Sequence, residues 1–207
     1  MDKRLFFPAT KRNFHAISQV LKDYIPKKGA ILEIASGSGE HAVGFQKLFP
    51  NILWQASDPD PIHRQSIISW IVHEKLQNKM PYPINLNVEK DPWPIPLNIK
   101  SKLKAIICIN LIHISPWSCT ERIFENSNLL LANGSHLIIY GPFKVKGKFT
   151  SESNALFDQS LREGNKEWGL KNIEEVSESA LRNNFDRIAT NEMPANNISI
   201  IFRKNKL

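Results

Sequence analysis

A glycine turn follows a short apolar run near the start of the chain. The run covers residues 30–35, and Ser36-Gly37-Ser38-Gly39 comes directly after it. Glycine at positions 37 and 39 allows a tight turn and a close approach of the backbone to a ligand, because no Cβ intrudes. Backbone amides of such a turn, at the start of a helix, suit a polar or negatively charged ligand group. This turn is therefore the first candidate binding site.

Acidic residues around the turn indicate which ligand it holds. Glu33 lies inside the apolar run, where a carboxylate is costly to bury unless it meets a partner. Asp58 follows a second apolar run, residues 52–57, where an acid can accept hydrogen bonds from ribose hydroxyls. A dinucleotide would bring its pyrophosphate to the turn, and Glu40 would repel it. S-adenosylmethionine carries a cationic sulfonium and an amino-acid moiety, so the acids favour it, with an NAD-binding oxidoreductase as the weaker alternative.

Residues for the reaction itself are expected at the ends of later apolar runs. Asn110 ends the run 103–110, and His113 follows it as a candidate base or substrate ligand. The alternative for His113 is a polar side chain packed in the core. Tyr140 ends the run 135–140 and is expected to border the acceptor pocket. Methyl transfer can be accelerated by holding the reacting atoms in line, so the sequence does not require a catalytic base.

Strands and helices alternate along most of the chain, and they must position these residues. This alternation predicts an α/β fold with a doubly wound, mostly parallel sheet, in which ligands bind beyond the carboxyl ends of the strands. Two adjacent strands at the C-terminus predict an antiparallel addition. The predicted strands cover residues 30–35, 52–57, 82–88, 103–110, 135–140, 187–193 and 198–203.

Composition limits the classes of partner. The chain has 207 residues and a net charge of +7, but its basic residues are scattered, which favours a solvated basic surface over a nucleic-acid groove. No apolar run approaches the roughly 18–20 residues that span a bilayer, so no membrane partner is predicted. The first residues, Met1 to Lys11, lack the apolar stretch of a secretory signal, which predicts a cytoplasmic location. Cys108 and Cys119 have no ligand spacing, and no metal site is predicted.

The chain also resembles known proteins. Residues 33–41 are similar to the first motif of class I methyltransferases, with Ala35 where many members carry the first glycine. More narrowly, the chain resembles the methyltransferase-like protein 26 family, and the most specific stretch is Asn110-Leu111-Ile112-His113-Ile114-Ser115-Pro116-Trp117. One departure is Asn87, which stands where an aspartate is expected. The other matching stretches are residues 8–13, 54–58, 137–143, 153–158 and 168–170.

This resemblance implies a single class I methyltransferase-like domain over residues 1–207, with a Rossmann-like, seven-stranded sheet. It implies an S-adenosylmethionine-dependent methyltransferase whose unknown acceptor is expected to be a small molecule; the alternative is a non-catalytic binding module of the same fold. No Asn-Pro-Pro-Tyr-like signature follows the fourth strand, which argues against amino-group methylation of bases or glutamine. The candidate cofactor-binding residues are Glu33, Ala35, Ser36, Gly37, Ser38, Gly39, His41, Asp58, Asn87, Val88 and Asn110.

Further segments are expected on the substrate side. The first predicted helix, residues 13–25, is a candidate lid over the cofactor together with Arg12 and Asn13; the alternative is an ordinary polar helix start. Trp117 is a candidate substrate-side residue, and residues 144–170 are expected to be a variable substrate-side insertion. His113 and Tyr140 are the candidate catalytic residues.

Overall fold

The structure of the protein is a computed structural model that describes residues 2–205. The chain divides into two compact units, one up to Ile107 and one from Cys108 onward. No helix within residues 2–205 is long and apolar enough to cross a membrane.

The first unit alternates helices and strands around the glycine turn. Its elements are α1 (Pro8–Tyr24), β1 (Gly29–Ile34), α2 (Glu40–Leu48), β2 (Ile52–Ala56), α3 (Pro61–His73), α4 (Leu97–Lys100) and β3 (Leu103–Ile109), which ends in the second unit. Helix α1 begins at Pro8, upstream of the predicted start at Asn13, because proline suits the first helical position. Its last turn precedes Pro26, as the sequence predicts.

The second unit continues from β3 with a short 3₁₀ turn at Ile112–Ile114. Within the predicted insertion, Lys146 and Gly147 both have positive φ, as a two-residue type I′ hairpin turn requires, and they join β5 to β6. The unit's further elements are α5 (Trp117–Leu130), β4 (His136–Gly141), β5 (Lys144–Val145), β6 (Lys148–Phe149), α6 (Glu152–Gly164), α7 (Ile173–Arg182), β7 (Phe185–Met193) and β8 (Asn197–Lys204).

Six strands form the main sheet, in the order β2-β1-β3-β4-β8-β7. β1 and β2 run parallel, and β8 runs antiparallel to both β4 and β7. These pairings confirm the predicted α/β class with an antiparallel strand near the C-terminus.

The sheet has six strands where the sequence predicts seven, because residues 82–88 do not form a strand. Pro81 and Pro83 have no backbone N–H to donate to a neighbouring strand. A single parallel bridge between Ser57 and Ile84 remains, in which the Ile84 amide donates to the Ala56 carbonyl at 3.1 Å. The segment therefore follows the end of β2 without extending the sheet.

Aromatic side chains fill the interior of each unit. In the first, Phe45 of α2 and Trp54 of β2 are fully buried with their ring centroids 5.1 Å apart. In the second, Phe124 of α5 meets Phe202 of β8 edge to face at 5.1 Å. Burying one such side chain contributes roughly 1.5–3 kcal/mol. This burial fixes the strands whose carboxyl ends carry the candidate site residues.

Candidate functional site

Left-handed backbone at alternate positions shapes the glycine turn. Ala35, Gly37 and Gly39 have φ angles of 53°, 55° and 89°. A Cβ on Gly39 would lie 2.8 Å from Cγ1 and 2.9 Å from Cα of Ile67, so α3 packs directly on this glycine. A Cβ on Gly37 would lie 3.0 Å from the ring of Phe7. Both glycines therefore have a steric reason within the fold, besides any approach of a ligand.

Asp58 connects the glycine turn to the end of β2. Its Oδ2 accepts a hydrogen bond from the Gly37 amide at 2.9 Å. Its Oδ1 accepts from the Asp60 amide at 2.9 Å and lies 3.1 Å from Nδ1 of His63. A carboxylate offers about four acceptor positions. The side chain is thus held in place by the turn and still has capacity for a ligand hydroxyl.

Glu33 is a buried acid at the end of β1, only 1% exposed. Its Oε2 accepts a hydrogen bond from Nε1 of Trp54 at 2.8 Å. Burial raises the pKa of the Glu33 carboxyl to about 7, and the nearby charge of Asp58 acts in the same direction. A cationic ligand group beside Glu33 would favour the carboxylate and lower this pKa. The buried acid therefore has capacity for a positively charged ligand group.

His41 and Asn13 join the first two helices. His41 Nε2 lies 2.8 Å from Oδ1 of Asn13, and its ring stacks on Phe45 at 5.5 Å. Burial lowers the pKa of His41 to about 4, so the ring is neutral at pH 7 and serves to dock α1 on α2. Phe14 reinforces this docking, because a Cβ on Gly44 would lie 2.5 Å from its ring. A direct cofactor contact by His41, and a lid role for Asn13 and the exposed Arg12, stay predictions.

Ser36 and Ser38 also have partners in the turn. The Ser36 amide donates to the Ser57 carbonyl at 2.8 Å. The Ser38 hydroxyl donates to Oε2 of Glu40 at 2.9 Å. Glu40, which would repel a pyrophosphate, is therefore held at the start of α2.

Asn87 and Val88 lie in a turn after the bridge at Ile84. Oδ1 of Asn87 accepts from the Glu89 amide at 2.9 Å, and the Val88 carbonyl accepts from Nε1 of Trp93 at 3.1 Å. These bonds fix the local turn and leave the Asn87 amide nitrogen for another partner. A contact of Asn87 and Val88 with adenine stays a prediction.

The N-terminal strap, residues 2–7, was not predicted from the sequence. Its Leu5 amide donates to the Ser66 hydroxyl at 2.8 Å, and that hydroxyl donates to the Ser38 carbonyl at 2.6 Å. The Phe7 amide donates to Oε2 of Glu40 at 2.7 Å. The strap therefore lies over the glycine turn. The signal in the sequence is the apolar triplet at residues 5–7, which is too short for any periodicity.

Ser66→Ala is expected to loosen the strap. The substitution removes a hydroxyl that both accepts from Leu5 and donates to the Ser38 carbonyl. Leaving these two groups without partners is expected to lower the free energy of unfolding by about 1–3 kcal/mol. Urea unfolding measures this loss, and the fluorescence of Trp70, whose Nε1 donates to the Leu5 carbonyl, reports release of the strap.

Ser69→Ala is the matched control on the same helix, because its hydroxyl bonds the Gln65 carbonyl within α3. We expect a change below about 0.5 kcal/mol for it. Equal losses in the two variants would contradict a role of Ser66 in holding the strap.

In the second unit, Asn110 and His113 meet at Gly141. Asn110 has a φ of 57°, and its amide donates to the Tyr140 carbonyl at 2.8 Å. A Cβ on Gly141 would lie 3.1 Å from Nδ1 of His113 and 3.8 Å from Oδ1 of Asn110. The Tyr140 side chain is buried, and Trp117 is the half-buried first residue of α5. The glycine at 141 thus leaves room for two of the predicted site residues.

His113 is a buried histidine with an unsatisfied ring nitrogen. It is 4% exposed, and its Nδ1 has no hydrogen-bond partner among the residues that the structure describes. Burial lowers the pKa of His113 to about 4, and the charge of Lys171 lowers it further. The ring is therefore neutral at pH 7, and its role as a base or a substrate ligand stays a prediction.

Metal-ligating side chains do not cluster in the described chain. Between residues 2 and 205, no group of three or more His, Cys, Asp or Glu side chains is arranged to hold a metal ion.

Several solved methyltransferase structures have a similar fold. An O-methyltransferase family protein from Burkholderia thailandensis is 12% identical with a TM-score of 0.73, over 93% of this chain and 56% of its own. An O-methyltransferase family 2 protein from Planctomyces limnophilus, in complex with apigenin, is 15% identical with a TM-score of 0.72, over 92% and 61%. Human N-acetylserotonin methyltransferase, in complex with S-adenosylmethionine, is 12% identical with a TM-score of 0.70, over 93% and 55%.

The likeness to these structures is one of fold, and the chain spans little more than half of their lengths. The sequence itself matches the model of one protein family over residues 4–204. This match covers nearly the whole chain, from the N-terminal strap to the end of β8. The chain therefore belongs to the family described as "Protein of unknown function (DUF938)".

Proposed function

We propose that the protein is an S-adenosylmethionine-dependent methyltransferase that acts on a small molecule, of the methyltransferase-like protein 26 type. The observation that carries this proposal is Glu33, a fully buried carboxylate at the carboxyl end of β1. Trp54 donates to its Oε2 and Ser36 also favours the carboxylate, yet burial still raises the pKa of the acid to about 7. A cationic ligand group would compensate this charge, and S-adenosylmethionine carries an ammonium group on its amino-acid moiety.

The residues of the first unit would hold the cofactor. Glu33 would bind the ammonium group, and Asp58 would accept a hydrogen bond from a ribose hydroxyl, since three donors leave one of its positions available. Glu40 at the start of α2 disfavours a pyrophosphate there. When bound, S-adenosylmethionine supplies an electrophilic methyl group on a cationic sulfur.

The residues of the second unit would hold the acceptor. The neutral His113 would accept a hydrogen bond from an acceptor hydroxyl and orient it, because its pKa of about 4 makes the ring a weak base at pH 7. Asn110, Tyr140 and Trp117 are proposed to line the same acceptor region. Names of solved structures with this fold support a small acceptor, since one is described as a complex with apigenin. A cytoplasmic location stays a prediction from the sequence.

Calorimetry with S-adenosylhomocysteine and with NAD tests the cofactor. We expect S-adenosylhomocysteine to bind and NAD not to bind, because Glu33 and Glu40 favour a cation and disfavour a pyrophosphate. Binding of NAD alone would overturn the proposal.

Transfer of a labelled methyl group from S-adenosylmethionine to small molecules of a cell extract tests the reaction. Label in the small-molecule fraction supports the enzyme. Tight binding of S-adenosylhomocysteine without any transfer would instead favour the binding module.

A further inference from the structure

The segment that follows α6 is held rigidly beside His113. The Gly169 amide donates to the His113 carbonyl at 2.9 Å, and the Leu170 amide donates to Oδ1 of Asp158 at 2.6 Å. The Lys171 carbonyl accepts from the Lys144 amide at 2.9 Å. Hydrogen bonds of the backbone at residues 169–171 therefore fix the position of the Lys171 Cα.

Lys171 is a half-buried cation whose polar partner is a backbone carbonyl. Its ammonium donates to the Glu167 carbonyl at 3.1 Å, and no salt bridge with a carboxylate is formed by Lys171 in the described chain. Asp158, whose charge acts on Lys171, is already paired with Nε of Arg162 at 2.7 Å. A charge taken out of water is costly unless it is paired. The site therefore has an unused capacity for a negative charge.

Neighbouring positive charges further disfavour the charged form of Lys171. Burial lowers the pKa of Lys171, and the positive charges of Arg162 and Lys144 lower it further. Asp158 and Cys119 act in the opposite direction without cancelling the effect. An anionic ligand would relieve the repulsion among the three cations.

His113 provides the second unsatisfied group in the same place. Its pKa responds to the charge of Lys171, and its buried Nδ1 lacks a hydrogen-bond partner among residues 2–205. Buried polar atoms are almost always hydrogen-bonded in native proteins. The His113 and Phe157 rings pack edge to face with their centroids 5.6 Å apart, so an aromatic side chain borders the same place.

We infer that the acceptor is a small hydroxy-carboxylic acid whose carboxylate pairs with Lys171 and whose hydroxyl bonds to His113. This inference rests on the proposed function, since it names the acceptor class of that same site. Lys171 is the specificity-determining residue: it binds the anionic group, and His113 orients the hydroxyl. Phe149 and Phe157, each 40% exposed on β6 and α6, offer aromatic surface to an aromatic hydroxy acid.

The test compares hydroxy acids with their methyl esters, which keep the hydroxyl and remove the charge. 4-Hydroxybenzoate, salicylate and mandelate are each titrated against their esters, and binding is followed by the ring ¹⁵N resonances of His113. We expect at least one acid to bind about tenfold more tightly than its ester, as one charge-assisted hydrogen bond provides. Equal affinities for every pair, or no binding of any acid, would overturn the inference.

Lys171→Met and Lys166→Met separate this role from general surface charge. Both substitutions remove one positive charge, but Lys166 is exposed on the same connecting segment. We expect Lys171→Met to bind the acid as weakly as the ester, and Lys166→Met to bind it as the wild type does. Equal behaviour of the two variants would overturn the role of Lys171.

Affinity for S-adenosylhomocysteine, measured on the same proteins, distinguishes the two proposals. The acid and ester titrations are made without cofactor, so a loss of discrimination concerns only the acceptor class. A wild type that discriminates acid from ester but does not bind S-adenosylhomocysteine would contradict the proposed function instead.

Discussion

Glu33→Gln is expected to stabilise the ligand-free protein at about pH 8 by about 3 kcal/mol and to weaken S-adenosylhomocysteine binding. Burial raises the pKa of Glu33 from 4.5 to about 7, so the folded state holds its proton more tightly than the unfolded state does. The stability that this group contributes is complete below pH 4.5 and is lost as the pH rises through about 7. Glutamine stays neutral and keeps an oxygen for the Trp54 donor, so the variant avoids this loss.

Urea unfolding at several pH values measures the effect as a difference between wild type and variant. The stability of the variant is compared with that of the wild type because His41 and His113 change stability with pH in the direction opposite to Glu33. Their pKa values are lowered from 6.5 to about 4, so the stability they contribute is present above pH 6.5 and is lost as the pH falls through about 4. Both proteins keep these histidines, and subtraction removes their contribution.

Glu178→Gln, on the exposed face of α7, serves as the matched control for the removal of one carboxylate. A stability difference between Glu33→Gln and wild type that does not change with pH would contradict the assignment of Glu33 as the titrating group.

Glu33→Gln is expected to weaken ligand binding, although it stabilises the ligand-free protein. The ammonium group of the ligand would favour the Glu33 carboxylate, so Glu33→Gln is expected to weaken binding by about tenfold or more. For the wild type near the pKa of about 7, binding is expected to release a proton. Calorimetry in buffers with different ionisation enthalpies detects this release. Unchanged affinity in the variant would contradict a contact between Glu33 and the ammonium group of the ligand.

Apolar patterning made much of the fold predictable. The runs around Leu32, Trp54 and Ile107 predicted β1, β2 and β3 because a strand buried on both faces is apolar throughout. The same reasoning failed at Tyr82–Val88, where the apolar residues are present but Pro81 and Pro83 remove donors. Apolar patterning reports burial, whereas a strand also needs backbone N–H groups, which prolines lack.

The sequence predicted which acidic residues belong to the candidate site but not the contacts that hold them. In the sequence, Glu33 lies inside the first predicted strand and Asp58 follows the second, and the structure places Glu33 within β1 and Asp58 just beyond β2. The contacts of Asp58 with Gly37, and of Leu5 with Ser66, join residues far apart in the chain. No local pattern encodes such contacts, which is why the N-terminal strap escaped prediction. The cofactor and catalytic roles of these residues therefore stay predictions.

Gly39→Ala is expected to destabilise the protein more than Gly134→Ala does. Both glycines have a left-handed backbone, with φ angles of 89° and 80°, so an alanine at either position costs about 1–2 kcal/mol. A Cβ on Gly39 would also lie 2.8 Å from Cγ1 and 2.9 Å from Cα of Ile67, whereas nothing lies within 4 Å of a Cβ on Gly134. Overpacking typically costs a further ~1–3 kcal/mol.

The difference between the two variants isolates the packing of α3 on the glycine turn from backbone strain. Urea unfolding of both proteins measures it, and equal losses would show that Ile67 yields to the new methyl group. A glycine at position 39 has two possible reasons, the packing of α3 on the turn and the approach of a ligand. The affinity of folded Gly39→Ala for S-adenosylhomocysteine distinguishes them. If affinity is retained while stability falls, Gly39 is required because α3 approaches the turn, and the ligand depends on Glu33 and Asp58 instead.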